Sequence, residues 1–460
     1  MNKDKLNKYF NDKDILILGF GKEGISSYEF ISKNFTPNSI TIYDKRDISD
    51  TFKVENVKLI SEIEPESIDA VFDIILKSPG IPLSDEFIKK FENIISSQTD
   101  IFLREFSKIT IGITGTKGKS TTATLTHKIL SDSEKHALLG GNIGVPCFDL
   151  INEITNDTIV ILELSSHQLQ YVKNGPKIAI FLNIYPEHLD FYKDLNSYAK
   201  AKMNILNSGN NLVIYPKKEF SEIKTKSHKI YFTIDIVDGI ANINYAQNDK
   251  HISFEINISK LKLKGVHNLN NIAAAAITCF LKECGLEHIL QSIYSFKGLE
   301  HRLEYCGKIR NINFYNDSIS TIPQTTIAAL RTFNNEIGSL ILGGFFRGKE
   351  ITFTELAKEI VQSKVRNIFF LPETGIMIFE ELLQAGYELK VDNMKPYTVI
   401  EKEGWAIKCF FANDFDSMKG FIFKYTPRDS ICLLSPASSS YNMYKNFEER
   451  GNRFKEMIKI

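Results

Sequence analysis

Two glycine-rich segments of this chain carry the residue types of phosphate-binding loops. Residues 19–24 read Gly-Phe-Gly-Lys-Glu-Gly, and residues 112–120 read Gly-Ile-Thr-Gly-Thr-Lys-Gly-Lys-Ser. Glycines let backbone N–H groups approach an anion closely, and a helix that follows turns its positive end toward it. The two loops are equipped for different work. Gly19, Gly21 and Gly24 have the GxGxxG spacing. The second loop adds Lys119 for the outer phosphates, with the Ser120 and Thr121 hydroxyls next to it for Mg2+. The strict GxxxxGK[ST] pattern would put its first glycine at Ile113, so this loop is a variant, GxxGxxGKST from Gly112.

The elements that must position these loops can be read around them. Ile15–Leu18 is a short apolar run, Ile25–Ser32 has helical periodicity, and a second apolar run, Ile40–Tyr43, ends in Asp44, twenty residues past Gly24. A dinucleotide fold puts its ribose-binding acid there. The pattern suits NAD or another nucleotide diphosphate. Ser78-Pro79-Gly80, after the strand-like Ala70–Leu76, would form another edge of the same crevice.

Around the second loop, Ile109–Ile113 reads as a strand and Ser120–Leu130 as a helix. The apolar strand from Val160 delivers Glu163 at its end, where a phosphate-loop enzyme keeps an acid for Mg2+. Ile178–Leu182 is the next strand, and His188 follows it closely enough to share the same sheet edge. Lys200 and Lys202 fall on a helix where composition assigns them to a solvated face. The run Gly265-Val-His267-Asn268-Leu-Asn270-Asn271 enters a helix at Ile272–Leu281. Asparagines are good caps, but these polar side chains are more than a cap needs.

From about residue 300 the strand–loop–helix alternation resumes. Strands are predicted at Ile312–Tyr315, Ser339–Leu342, Asn367–Leu371 and Ser430–Leu434, with polar loops after several of them and an amphipathic helix over Tyr441–Ile458. Such alternation implies parallel sheets whose ligands bind at strand C-terminal ends. The expected fold is α/β with three domains: a Rossmann-like domain over 1–99, a phosphate-loop ATPase-like parallel-sheet domain over 100–299, and a Rossmann-like α/β domain over 300–460.

Composition narrows the partners. At 460 residues the chain exceeds one core. Hydrophobic residues make up 43% and charged residues 24%, and Lys+Arg equals Asp+Glu at 56 each. This balance offers no general argument for nucleic acid or an anionic membrane. No apolar run approaches the roughly 18 residues of a membrane span. The polar N-terminus has no signal-like apolar stretch. Cys147, Cys279, Cys284, Cys306, Cys409 and Cys432 form no CxxC and have no metal-like spacing to histidine, as expected of free thiols in a reducing cytoplasm.

TGTKGKST, LELSSHQL, LNIYPEHLD, HNLNN, GLEHRLE, YNDS and LLSPASSSYNMYKNFEERG occur in this order along the whole chain. With these motifs the chain resembles the Mur ligase family of ATP-dependent amide-bond-forming enzymes of peptidoglycan precursor synthesis. The resemblance implies a monomer that takes UDP-N-acetylmuramoyl-L-alanine, ATP and glutamate, with Mg2+. The substrate carboxylate attacks the γ-phosphate of ATP, and the glutamate amine displaces phosphate from the resulting acyl phosphate.

By the same resemblance, Gly19, Gly21, Lys22, Glu23, Asp44, Lys45, Arg46, Ser78 and Gly80 surround the uridine diphosphate, and Asn142 and Ser165 touch the muramoyl part. Gly115, Thr116, Lys117, Gly118, Lys119, Ser120 and Thr121 hold ATP phosphates. Asn268 and Asn271 contact the nucleotide, and His301, Arg302 and Asp317 meet ATP from the third domain. Ser120, Glu163, His188 and Lys202 are the metal candidates. Lys202 matches a lysine that CO2 converts to a carbamate.

One loop departs from the family. Where NDSKATN is usual, this chain reads Asn316-Asp317-Ser318-Ile319-Ser320-Thr321-Ile322, so a cation near the incoming glutamate is missing. Arg347 or Lys349 would supply it, with Thr321 and Ser440 as hydroxyl partners and Phe447 packing nearby. The change leaves D- and L-glutamate both open. An NAD-dependent enzyme with a regulatory ATP site is the reading from another class, but it leaves Glu163, His188 and the C-terminal motif unused. A non-catalytic scaffold would not need Lys119, Glu163 and His188.

Overall fold

β-Branched and leucine-rich runs build three sheets. The computed structural model describes residues 2–48, 57–61, 64–68, 71–188, 191–207, 212–220, 223, 225–247, 250–263, 265, 268–346, 352–390, 395–441 and 443–459. They form two compact units, Met1–Phe296 and Lys297–Ile460.

The first sheet is wholly parallel, in the order Val57–Ile60, Ser39–Tyr43, Asp14–Leu18, Ile74–Lys77, Ile95–Ser96. Its central strand is buried on both faces. Ile15 and Ile17 belong to one apolar cluster and Leu16 and Leu18 to another, which is why the run is apolar without alternation. The helix Lys22–Asn34 follows directly.

The second sheet lies in the same unit, in the order Lys250–Asn257, Ile240–Gln247, His228–Val237, Leu212–Pro216, Ile178–Phe181, Thr110–Thr114, Ile159–Glu163, Ala137–Gly141. It is antiparallel over the first three strands and parallel from His228–Val237 onward. Thr110–Thr114 is flanked on both sides by parallel neighbours whose C-terminal ends carry Glu163 and the 183–188 segment. The second unit holds a sheet in the order Glu304–Ile309, Ile312–Asn316, Ile431–Leu434, Ile337–Gly344, Asn367–Glu373, Trp405–Phe411, Thr398–Lys402, Glu388–Lys390, parallel in its middle and antiparallel at both edges.

Several boundaries differ from the sequence expectation. Ile109 closes a 3-10 turn and the loop strand begins at Thr110. The strand expected from Ala70 begins at Ile74; Ala70 itself lies outside the described residues. The last helix starts at Phe447, not Tyr441: the Asn446 side chain accepts from the Glu449 amide at 2.8 Å, and the Ser440 carbonyl takes the Met443 and Tyr444 amides in a separate turn. The helix expected at Ile272 begins at Asn268, so the asparagines occupy its first turn rather than precede it.

Among the described residues no helix is long and apolar enough to cross a membrane. All six cysteines are free. Ile113, fully buried one residue before the end of the loop strand, tests how far the loop depends on this core. Ile113→Ala is expected to cost about 2–5 kcal/mol, read as a lower denaturant midpoint with an unchanged slope; an unmoved midpoint would contradict tight packing there.

Candidate active site

The phosphate loop is shaped by what lies against it. Gly118 caps the helix Lys119–Asp132 at φ 88°, a left-handed conformation, and a Cβ there would stand 2.1 Å from Asn271 Oδ1. Asn271 thus lies on the loop, and its Nδ2 donates to Asn268 Oδ1 at 2.9 Å. Asn271 braces the loop and Asn268 is bonded to Asn271, while His267 lies outside the described residues. The amides of Thr116 and Lys117 donate to the Asn183 backbone and side-chain oxygens at 3.0 and 2.9 Å. The first-turn amides from Lys119 onward are those that helix geometry leaves without an intrahelical acceptor. Ser120 and Thr121 are half-buried in that turn. Lys117 turns outward to an ion pair with Glu187.

Two lysines converge on one carbonyl. Lys119 Nζ donates to the carbonyls of Gly115 at 3.0 Å and Thr116 at 2.9 Å, and Lys202 Nζ donates to Gly115 at 2.9 Å. Lys202 is 1% exposed, so the solvated-face expectation fails for it and holds for Lys200, which is exposed. Tyr198, Ala201 and Lys202 form the buried side of that helix, which reaches the loop through Tyr198 and Lys202. Its ammonium lies 4.7 Å from the Tyr198 ring centroid, and the Tyr198 hydroxyl donates to Thr116 Oγ1 at 3.1 Å. Burial, then the neighbouring charge of Lys119, brings Lys202 down to about 7, while Glu187 and Glu163 oppose the shift.

Glu163 ends its strand 1% exposed. Oε1 accepts from Asn142 Nδ2 at 2.8 Å, and Oε2 is buried with no hydrogen-bond partner. An orphaned carboxylate oxygen beside a phosphate loop is costly unless something else engages it. His188 is exposed in a left-handed turn, φ 56°, and its ring packs edge-on to His167 at 5.0 Å and lies 6.2 Å from Tyr198. Among the described residues no three His, Cys, Asp or Glu side chains form a metal cluster by themselves. Mg2+ needs none: it binds through one or two carboxylates plus phosphate oxygens and water, and the Glu163 orphan oxygen with the Ser120 hydroxyl suits that.

A separate cavity of about 530 Å3 opens at the first glycine loop. All the residues expected around the uridine diphosphate line it, and of the two expected at the muramoyl part Asn142 lines it and Ser165 does not. The Ser165 hydroxyl is engaged in a capping box instead, accepting from the Gln168 amide while its own amide donates to Gln168 Oε1. The Asp44 carboxylate accepts from the Phe20 amide at 2.9 Å and is gripped by Arg46, Nε to Oδ1 at 2.9 Å and Nη2 to Oδ2 at 3.1 Å; the Arg46 contacts are the main reason it is held at about 2. Lys22 Nζ donates to the Gly144 carbonyl at 2.6 Å, and Lys45 pairs with Glu64.

In the second unit, the loops after Ile312–Asn316 and Ile431–Leu434 stand side by side because those strands are parallel neighbours. Asp317 is buried, pushed up to about 6 by that burial, and accepts from the Leu303 amide and the Ser320 and Ser435 hydroxyls. His301 is 3% exposed, with its Nδ1 accepting from Asn316 Nδ2 at 2.9 Å. Both face inward, and Arg302 is exposed. Thr321 is half-buried, Ser440 buried and Phe447 half-buried at the start of the last helix. Arg347 and Lys349 lie outside the described residues. Arg450, 1% exposed, ties the two loops together: Nη1 donates to the Ser438 and Ser439 carbonyls, Nη2 to the Ser318 carbonyl and Nε to Ser318 Oγ, all within 2.9–3.0 Å.

Sequence reasoning passed over Asn183, Tyr198, Gln168 and Arg450. Only Gln168 had a readable signal, the S-x-x-Q capping box from Ser165.

Residues 113–279 match the Mur ligase middle domain. Along its length the chain is 33% identical to a protein of Caldicellulosiruptor bescii, with 97% of each chain covered, and 30% identical to one of Clostridium tetani, with 100% of each covered. The chain belongs to the Mur ligase family, ATP-dependent enzymes that form amide bonds. Both of these relatives are named UDP-N-acetylmuramoylalanine–D-glutamate ligase. The fold is also that of two Thermotoga maritima enzymes. The MurF ligase, solved with ADP, superposes with a TM-score of 0.52 at 14% identity, covering 98% of this chain and 96% of that one. The UDP-N-acetylmuramate-alanine ligase gives 0.53 at 17%, covering 96% and 98%.

Because the buried Arg450 ties the two loops together, Arg450→Lys, which keeps the charge but loses the planar fork, is expected to cost about 1–3 kcal/mol of stability, read as a lower denaturant midpoint. An unmoved midpoint would contradict that brace.

Proposed function

We propose that this chain adds D-glutamate to UDP-N-acetylmuramoyl-L-alanine with ATP, through an acyl phosphate, in peptidoglycan precursor synthesis. The observation that carries the reading is one compact unit holding both a nucleotide-sized cavity at the first glycine loop and a phosphate loop with Lys119, Lys202 and Glu163 gathered at its mouth. Full-length relatives named for D-glutamate addition support the amino acid and its configuration. An NAD enzyme has no use for the second group of residues.

In this reading Lys119 and the helix amides hold the ATP phosphates. Asn142 keeps Glu163 oriented by its hydrogen bond. The Lys202 amine, sheltered from water, adds to CO2 through its nitrogen and releases a proton, leaving a carbamate anion. Ser120, Glu163, His188 and that carbamate would hold Mg2+. When bound, Mg2+ offsets the repulsion between the substrate carboxylate and the γ-phosphate. The carboxylate oxygen attacks phosphorus and ADP leaves; the glutamate amine then attacks the acyl carbon and phosphate leaves. Thr321, Ser440 and Phe447 would receive glutamate, with Arg347 or Lys349 providing the cation that Ile319 lacks. We assign binding of the UDP substrate to 1–99, of ATP to 100–299 and of the amino acid to 300–460. The chain would act as a monomer in the cytoplasm, where ATP and UDP-sugars are made.

Phosphate release with UDP-N-acetylmuramoyl-L-alanine should require D-glutamate and fail with L-glutamate, D-aspartate and meso-diaminopimelate. Turnover with L-glutamate alone would overturn the assigned configuration. Lys119→Ala should lower kcat by about a hundredfold or more in a folded protein; near-normal turnover would remove the phosphate-loop role. Lys202→Ala should be inactive and regain part of its activity with short carboxylic acids, which a solvated helix lysine would not show.

A further inference from the structure

Lys77 is the last residue of the strand Ile74–Lys77, directly before Ser78-Pro79-Gly80, which line the nucleotide cavity. Its side chain turns inward and is 3% exposed. Nζ donates to the carbonyls of Ser78 at 3.1 Å and Pro79 at 3.2 Å, and lies 5.6 and 5.9 Å from the ring centroids of Tyr171 and Phe191. Glu23, from the first turn of the helix after the glycine loop, faces it across a gap too narrow for a water molecule, lined also by Ser27, Leu76, Ser78 and Gln98. Glu23 Oε1 accepts from Gln168 at 2.6 Å, while its Oε2 is buried without a hydrogen bond. Glu23 and Ser78 border both this gap and the cavity.

A buried amine at this place needs a reason, since a methionine of similar volume would pack there without the cost of desolvating a charge. The loop supplies one. Pro79 has no N–H, the Ser78 amide is committed to the Leu18 carbonyl at 2.8 Å, and that of Ile81 to the Ser78 carbonyl at 3.3 Å. That leaves the Gly80 amide as the one backbone donor this stretch can offer a diphosphate. We propose that Lys77 is a positioning residue of the diphosphate site, fixing the 78–80 loop through two carbonyls and placing positive charge beneath the phosphates, with Glu23 as its counter-ion. This rests on the uridine-diphosphate reading of the cavity.

The same arrangement makes the site sensitive to pH. Burial brings Lys77 down to about 8, opposed by Glu23. Glu23 is pushed up to about 6 by burial, against Gln168, Lys77 and Lys22. Burial holds Tyr171 near 12, hence neutral, and the Cys147 thiol near Glu23 is pushed up as well. Phe191, Gln98 and Ser27 carry no charge. Lys77 is therefore the group here that loses its charge as pH rises through about 8, and binding of an anion weakens in that direction.

The test is calorimetric binding of UDP-N-acetylmuramoyl-L-alanine to the full chain from about pH 7 to about pH 9, with ATP binding as control. Wild-type affinity should fall across this range. Lys77→Met should bind about tenfold more weakly near pH 7, without the wild-type pH dependence, and keep its ATP affinity. Lys77→Arg should bind with a flat profile, and Glu23→Gln should move the wild-type break to lower pH. Lys77→Met matching wild type at every pH overturns the proposal. Should that variant not fold, a Lys77→Arg profile declining as wild type does overturns it equally. Wild type that does not bind the nucleotide at all removes the uridine-diphosphate reading itself.

Discussion

The carbonyl of Gly115 accepts from two ammonium groups, and much of the first unit is arranged around that contact. Lys119 reaches it from the helix the loop begins, and Lys202 from a helix more than eighty residues further along the chain. Two cations on one oxygen repel each other, and in a buried setting the repulsion is felt strongly. Part of it is relieved by lowering the proton affinity of Lys202, which has less water around it. A lysine that is often uncharged near neutral pH is a nucleophile, and anions brought to the loop would find the remaining charge concentrated at Lys119. Held by Asn142, Glu163 contributes a negative charge at the neighbouring strand end.

The sheet makes this possible by ordering its strands. Thr110–Thr114 lies between Ile159–Glu163 and Ile178–Phe181, all parallel, so their C-terminal ends deliver the loop, the acid and the 183–188 segment to one edge. The second unit uses the same device with a different brace. There Arg450 reaches across the ends of two parallel strands and fastens both following loops by their carbonyls.

What could be read from sequence follows from how local the physics is. Gly118, Lys119 and Ser120 sit between a strand and a helix a few residues apart, so their role is written within one segment. Glu163 was legible because an apolar run ending in an acid at a strand terminus is a local pattern. Lys202 was not. Helical periodicity leaves Lys200 and Lys202 equivalent until the loop that buries one of them is in place. Lys77 and Arg450 are hidden for the same reason: a lone basic residue reads as surface unless the groups that surround it are known. An amphipathic pattern that continues through a turn extends the expected last helix back to Tyr441, while the cap that starts it is a single asparagine, Asn446.

On the proposed function, the substrate carboxylate is phosphorylated at the Gly115–Lys119 loop before the amide bond forms. Labelling both carboxylate oxygens of UDP-N-acetylmuramoyl-L-alanine with 18O tests this most directly. Each phosphate released on addition of D-glutamate should carry one 18O atom, transferred from the carboxylate as the acyl phosphate breaks down. Released phosphate without the label would mean that ATP is hydrolysed by water and that the acyl phosphate is not formed.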